Sequence, residues 1–273
     1  ISNNTSNNDG GGIFILYSDC LLNNATITNN STTHNGGSIY VGQTNLIVAN
    51  SILWENLPSE IHFTSGPNPN ITYSDIQSGY EGEGNIDADP LFVDAENGDF
   101  HLSDYSPCIG AGTSDGAPTI DIDGNIRPNP EGSNPDMGAY ENALGSPANA
   151  PPTITSISNV SILEDASEQT VNITGIGDGD ATLDQTLTIT ATSSNTNLIP
   201  NPAVNYTSGE ATGQLTFTPV ADAYGTAVVT VRVEDDGGTE NGGTDTVIVT
   251  FDVGVTAVND VPTITYITDP EAI

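Results

Sequence analysis

Gly36-Gly37-Ser38-Ile39-Tyr40 repeats the stretch Gly10-Gly11-Gly12-Ile13-Phe14 at an offset of 26 residues, and this repetition decides the fold class. The same offset carries Asn4 to Asn30 and Asn30 to Asn56. Between these corners the apolar runs are short and β-branched, which favours strands over helices. A unit of this size buries its inner face only when copies stack. The sequence therefore predicts stacked β coils with an asparagine ladder at one corner.

The composition supports an all-β chain and excludes several functions. Lys and Arg number 2 against 36 Asp and Glu in 273 residues, a formal net charge of -34. Both cations are arginines, Arg127 and Arg232, so a basic face for nucleic acid is excluded and an anionic membrane is a poor partner. No run approaches the roughly 18 apolar residues of a membrane span. Two cysteines, Cys20 and Cys108, make no disulfide framework, and we expect buried thiols.

A fixed order of motifs accompanies the repeats and closes the first half of the chain. The stretches are Asn50-Ser51-Ile52-Leu53-Trp54-Glu55-Asn56, Asp89-Pro90-Leu91-Phe92-Val93-Asp94, Gly98-Asp99-Phe100-His101-Leu102, Ser106-Pro107-Cys108-Ile109-Gly110-Ala111-Gly112, Asp121-Ile122-Asp123-Gly124-Asn125-Ile126-Arg127-Pro128 and Met137-Gly138-Ala139-Tyr140-Glu141. Over residues 1–142 they resemble the closing region of bacterial secreted proteins with a right-handed parallel β-helix of the pectate-lyase type. The resemblance implies that residues 1–145 form the last coils and the closing region of such a helix.

We expect no enzymatic activity from this half. Polysaccharide lyases of the resembled fold need a cationic residue beside a carboxylated sugar, and the chain has no lysine. Glycosidases need paired carboxylates, but Asp87 and Asp89 lie in a turn flanked by Gly and Pro, where capping is the simpler interpretation. His34, His62 and His101 lack the spacing of zinc ligands. Catalytic coils preceding Ile1 stay an open alternative.

The second half changes to a period of two. Residues 146–152 are rich in proline and form the predicted linker. About seven alternating runs follow within residues 153–260, the pattern of a β-sandwich. Pro152-Thr153-Ile154-Thr155 recurs as Pro262-Thr263-Ile264-Thr265, so residues 261–273 are predicted to begin another repeat.

Ordered motifs in this half resemble the cadherin-like, Ig-like tandem repeats of large bacterial surface proteins. The stretches are Leu163-Glu164-Asp165, Gly177-Asp178-Gly179-Asp180, Thr216-Phe217-Thr218-Pro219, Val233-Glu234-Asp235-Asp236-Gly237-Gly238 and Ala257-Val258-Asn259-Asp260-Val261-Pro262. Tracing seven strands from pole to pole gathers carboxylates at a far pole, where the first strand ends, and at a near pole opposite. Without a counterion, the carboxylates at each pole repel one another. Hard oxygen ligands in loops suit Ca²⁺.

The resemblance implies which residues bind calcium, weakly, at the two poles. The far-pole residues, donors to a following junction, are Glu164, Asp222, Asn259 and Asp260; the near-pole residues, receivers from a preceding one, are Asp178, Asp180 and Asp235. Asp165 and Asp236 are expected to be bystanders or to act behind the ligands. Solvated turn residues are the competing interpretation, because Asp and Asn favour turns.

Together these patterns predict a piece of a secreted, extracellular cell-surface protein of structural or adhesive role, without catalysis in this segment. One alternative is the accessory C-terminal part of an extracellular carbohydrate-active enzyme. Another is a filament subunit whose terminal strand pairs with a neighbouring chain. The expected partners are neighbouring domains of a longer chain; glycans, other surface proteins and self-association stay open, and nucleic acid and a membrane span are excluded.

Overall fold

A computed structural model describes residues 1–180 and 184–262 of the chain. It confirms the all-β class: within this described part, helix is limited to two short 3₁₀ turns, Ala95–Asn97 and Glu240–Gly242. No helix there is long and apolar enough to cross a lipid bilayer. Of residues 261–273, predicted to begin another repeat, residues 263–273 lie outside the described residues.

The chain divides into two compact units. Unit 1 comprises Ile1–Pro151, Gly179–Asp184 and Gly237–Asp245, and unit 2 comprises Pro152–Asp178, Gln185–Asp236 and Thr246–Ile273. The stretch predicted as a linker belongs almost entirely to unit 1. Ala148 and Asn149 are buried there, and the Asn149 side chain donates to the carbonyls of Gly238 and Thr244. Two loops within the predicted sandwich range thus join unit 1.

Short strands follow one another through unit 1. They are β1 (Thr5–Ser6), β2 (Ile13–Leu16), β3 (Cys20–Asn23), β4 (Thr26–Thr28), β5 (Ser31–Thr32), β6 (Ile39–Gly42), β7 (Leu46–Ala49), β8 (Ile52–Trp54), β9 (Ile61–Phe63), β10 (Asn70–Thr72), β11 (Asp75–Ile76), β12 (Phe92–Asp94) and β13 (Asp99–Leu102). Strands β1 to β11 pair in parallel, whereas β12 and β13 pair antiparallel.

The parallel pairing has the period of the sequence repeat. In the sheets β2-β6-β9, β3-β7-β10 and β4-β8-β11, the first two strands pair residues 26 positions apart, as in Ile13 with Ile39 and Ile27 with Leu53. The third strands follow after 22 or 23 positions, as in Ile39 with Ile61. One repeat therefore makes one coil, and the third coil is shorter. Ile27, Ile39 and Leu53 are fully buried between the sheets.

Asparagine side chains join successive coils, which confirms the predicted ladder. Oδ1 of Asn30 accepts from the backbone and side-chain N–H groups of Asn4 at 3.0 and 2.9 Å. Oδ1 of Asn56 accepts the same pair from Asn30, both at 2.9 Å. The Glu60 carboxylate ends the row by accepting both N–H groups of Asn56. The amides of Asn30 and Asn56 also donate to the buried backbone carbonyls of Thr28 and Ile27, which would otherwise lack that partner.

The glycine runs of the repeat have a steric cause. A Cβ on Gly11 would collide with the backbone of Gly37 in the next coil, and a Cβ on Gly37 would collide with that of Leu57. Beyond the coils, Met137, Ile109 and Cys108 form a second buried cluster with Ile52. Both cysteines are free, Cys108 buried and Cys20 half-buried.

Seven strands make up the described part of unit 2. They are β14 (Val160–Leu163), β15 (Gln169–Thr174), β16 (Thr188–Ser193), β17 (Ala203–Asn205), β18 (Thr212–Phe217), β19 (Gly225–Glu234) and β20 (Thr246–Thr256). One sheet has the order β14-β20-β19-β16 and the other β15-β18-β17. Alternate residues such as Ile173, Leu215, Val231 and Val253 are buried in one core that the two sheets share. Strand β14 pairs with β20 in parallel, and the other pairs are antiparallel.

Candidate metal centre

Three aspartates converge at the far pole of unit 2 because of how β14, β19 and β20 pair. Asp165 follows β14 and Asp260 follows β20; since these strands are parallel, both residues leave the sheet at the same end. Asp222 precedes β19, which runs antiparallel to β20 and therefore starts at that end. One oxygen from each of the three carboxylates lies within 4.8 Å of the others. All three residues are exposed.

Local backbone geometry orients two of these side chains. Asp165 and Asp222 adopt left-handed backbone angles, with φ of 60° and 58°. Aspartate tolerates this region better than most residues. The backbone N–H of Asp222 donates to Oδ1 of Asp165 at 3.1 Å, which ties the two turns together.

Glu164 and Asn259 lie beside the three aspartates and are engaged in other contacts. Glu164 is buried, and its Oε1 accepts from the backbone N–H of Val258 at 2.5 Å. Its carboxylate thereby fastens the segment that delivers Asp260. The Asn259 side chain donates to the carbonyl of Asp260 at 3.1 Å.

Negative charges gather at the far pole. The pKa of Asp260 is raised by partial desolvation and then by the negative charges of Asp222, Glu164 and Asp165. Like charges disfavour ionisation of each member, and a bound cation would remove that penalty.

The near-pole residues are placed differently. In unit 2, Asp178 accepts from the backbone N–H of Gln185 at 3.1 Å, and Asp235 is buried just after β19. Asp180 belongs to unit 1. Asp236 accepts from the backbone N–H of Thr186 at 2.8 Å, and this hydrogen bond lowers its pKa.

The structure thus groups two of the predicted far-pole ligands with a residue the sequence analysis set aside. Within residues 1–180 and 184–262, Asp165, Asp222 and Asp260 are the single set of three His, Cys, Asp or Glu ligand atoms that converge this closely. Strand tracing placed Asp165 at the far pole, but it was expected to be a bystander or to act behind the ligands. The sequence signal was its position after the first strand. The parallel pairing of β14 with β20, which brings it near Asp260, cannot be read from local sequence.

Unit 1 uses its charged side chains for internal contacts. Asp87 and Asp89 accept from the backbone N–H groups of Ser78 and Leu91 at 3.0 and 2.9 Å, as turn caps do. The fully buried Arg127 donates from Nε to Glu141 Oε2 at 2.6 Å.

His101 in unit 1 lies between two carboxylates. The His101 ring has Nδ1 2.5 Å from Asp99 and Nε2 2.9 Å from Asp123. The hydrogen bond to Asp99 raises the pKa of His101 and lowers that of Asp99. Both ring nitrogens are therefore engaged by carboxylates, and protonation of the ring creates an ion pair on each side of it.

Comparisons with known proteins leave the family open. No protein-family model matches the chain, and no curated protein sequence matches it significantly. Similar solved structures include three of the S-layer protein SbsC. The structure of domains 4 and 5 is 19% identical with a TM-score of 0.24, and the match covers 42% of this chain and 55% of that one. The structure of domains 1–6 is 20% identical with a TM-score of 0.26, and the match covers 45% of this chain and 14% of that one. The structure of domains 5–6 is 22% identical with a TM-score of 0.25, and the match covers 41% of this chain and 48% of that one. The chain thus spans well under two thirds of each, and similarity this low defines neither its fold nor its function.

Proposed function

We propose that this chain is a non-catalytic segment of a secreted cell-surface protein with a structural or adhesive role. In this proposal unit 1 is the closing part of a right-handed parallel β-helix. Unit 2 is a cadherin-like, Ig-like β-sandwich that binds calcium weakly at its far pole. Neighbouring domains of a longer chain are its partners.

The strand pairing supports the two architectural assignments. Stacked coils with parallel pairing at 26 residues are what a β-helix requires. The order β14-β20-β19-β16 opposite β15-β18-β17, with β14 parallel to β20, supports the assignment of a seven-stranded Ig-like sandwich.

The observation that carries the calcium assignment is the convergence of Asp165, Asp222 and Asp260. Calcium takes 6–8 oxygen ligands at about 2.3–2.6 Å, so oxygens on opposite sides of one ion are about 5 Å apart. Carboxylate oxygens within 4.8 Å of one another fit that shell. Three carboxylates leave several positions for water or a neighbouring domain. We therefore expect binding at the loose extracellular end, with a Kd of roughly 10⁻⁴ to 10⁻³ M.

Direct binding tests the metal assignment. Calorimetric titration of the whole chain with CaCl₂ should show a weak site that is lost in the double variant Asp165→Asn with Asp222→Asn. The matched control, Glu210→Gln with Asp252→Asn, removes the same two charges elsewhere on unit 2 and should keep the site. Equal binding by both double variants would assign the signal to diffuse counterions.

The absence of catalysis is proposed from the disposition of the cations. The chain has no lysine, Arg127 is buried against Glu141, and Arg232 pairs with Glu234. Neither arginine offers the cation beside a carboxylated sugar that lyase chemistry needs. Incubation of the pure chain with pectin and alginate should release no unsaturated or reducing ends. Sustained release above a heat-inactivated control would contradict the proposal.

A further inference from the structure

The outward face of the sheet β15-β18-β17 carries a row of amides. Asn172 in β15 lies opposite Gln214 in β18, and Gln214 lies opposite Asn205 in β17. All three are exposed. The Gln214 side chain donates to Asn172 Oδ1 at 3.2 Å, so the first two amide planes are joined along the row.

This row lines an open groove of about 500 Å³. Other side chains along it are hydroxyl-bearing, acidic or aromatic: Thr174, Thr207, Thr212, Glu210 and Tyr206. Among the described residues, no group of the protein hydrogen-bonds the Asn205 amide or the Thr174 and Thr207 hydroxyls. The groove thus presents unused donors and acceptors side by side, within the volume range of small-molecule sites.

The Tyr206 ring sits at this groove because of a glycine. A Cβ on Gly213 would lie 3.2 Å from Cδ2 of Tyr206, so the bare backbone of β18 lets the half-buried ring lie against it. Tyr206 also packs against the core that the two sheets share. The ring therefore offers a fixed apolar surface between the polar groups.

Charge restricts what such a groove can take. Of the side chains that line it, Glu210 alone is formally charged, and the whole chain carries -34. An anionic ligand is repelled at long range. Neutral amides and hydroxyls each donate and accept, which matches a ligand made of hydroxyl groups rather than one with a formal charge.

We propose that the groove along Asn172, Gln214 and Asn205 binds a neutral saccharide, with the amides and threonines bonding its hydroxyls and Tyr206 contacting its apolar edge. This site is separate from the far-pole carboxylates and requires no calcium. It adds a ligand to the proposed structural role and is tested independently of it.

The test uses the whole chain in chelator with four neutral probes: cellohexaose, mannohexaose, laminarihexaose and chitohexaose at millimolar concentration. Proton–nitrogen NMR spectra should show at least one probe shifting the side-chain NH₂ signals of Asn172, Gln214 and Asn205. Asn172→Ala and Gln214→Ala should each weaken that probe about five- to tenfold, the loss expected for one net hydrogen bond. Asn197→Ala, an exposed amide of unit 2 outside the groove, should bind like the parent.

Three results would overturn the proposal. They are no shift with any probe, shifts that persist in Asn172→Ala and Gln214→Ala, or a basic peptide such as pentalysine that perturbs these amides while the saccharides do not. Asp222→Asn should keep saccharide binding, so loss of the calcium site and loss of the saccharide site are distinguishable.

Discussion

The two units differ in what they do with polar side chains. Unit 1 buries them and joins them to one another: Asn30, Asn56 and Glu60 form one buried row. Unit 2 keeps its core apolar and collects carboxylates on exposed turns, as Asp165 and Asp222 show. Polar groups that are satisfied internally stabilise a fold by themselves. The exposed carboxylates of unit 2 repel one another, and the proposed calcium ion would offset that repulsion.

The chain's two arginines test this difference most strongly. Arg127→Ala leaves Glu141 buried without its charge partner and should cost about 3–5 kcal/mol of the free energy of unfolding of unit 1. Arg232→Ala removes a pair whose side chains are each 39% exposed and should cost less than about 1 kcal/mol. Trp54, the sole tryptophan, lies in unit 1, so urea titration followed by its fluorescence reports this unit. For Arg232→Ala, calorimetry of the transition that Trp54 fluorescence does not follow reports unit 2. Similar losses of stability in the two variants would contradict the distinction.

Buried carboxyls also make unit 1 sensitive to pH. Burial raises the pKa of Glu60, Asp75 and Asp136 to about 7, from 4.5 for the glutamate and 3.8 for the aspartates. The folded state therefore binds these protons more tightly than the unfolded state, and stability falls as pH rises through 7. From pH 6 to pH 8 each group should cost about 1 kcal/mol, a few kcal/mol in all.

The raised pKa of His101 acts in the same direction, because its pairing with Asp99 is lost as the ring deprotonates. Urea midpoints of Trp54 fluorescence at the two pH values check the sum. In Glu60→Gln the change in urea midpoint between pH 6 and pH 8 should shrink by about the contribution of one buried carboxyl group. A midpoint that rises with pH would have the wrong sign.

The asparagine ladder gives a smaller, graded effect. Asn56→Ala removes the acceptor of two N–H groups of Asn30 and two donors to carbonyls, and should cost about 2–3 kcal/mol. Asn4→Ala, at the exposed end of the row, should cost about 1 kcal/mol or less. Fluorescence-monitored unfolding measures both. Equal costs would mean that burial does not set the value of these hydrogen bonds.

What could be predicted from sequence depended on repetition. The 26-residue offset that aligns Asn4, Asn30 and Asn56 also sets the register between the first two coils, because coils of equal length stack with corresponding residues above one another. The all-β class followed from composition and period. The shorter third coil, where Glu60 replaces the next asparagine, was not foreseen, since a carboxylate at that position resembles a surface residue in sequence.

Long-range pairing limited the rest. Strand tracing placed Asp165 at the far pole, but its approach to Asp222 and Asp260 depends on the parallel register of β14 with β20, about 90 residues apart in sequence. The amide row likewise depends on Asn172 lying opposite Gln214 across two separate strands. Neither alignment repeats anywhere in the chain, so no internal comparison could indicate it. For Asp178, Asp180 and Asp235, calcium ligation stays a prediction.

Calorimetry of the whole chain tests the central claim most directly. At about ten times Kd of free Ca²⁺ the linkage gain is about 1.4 kcal/mol. The transition of unit 2 is identified as the one that Trp54 fluorescence does not follow. Its melting temperature should rise by several degrees from chelator to calcium. Mg²⁺ at the same concentration should give much less, because it demands a tighter octahedron. The rise should vanish in Asp165→Asn with Asp222→Asn and persist in Glu210→Gln with Asp252→Asn. A transition of unit 2 that calcium leaves unmoved, or moves equally in both double variants, would contradict the far-pole calcium site.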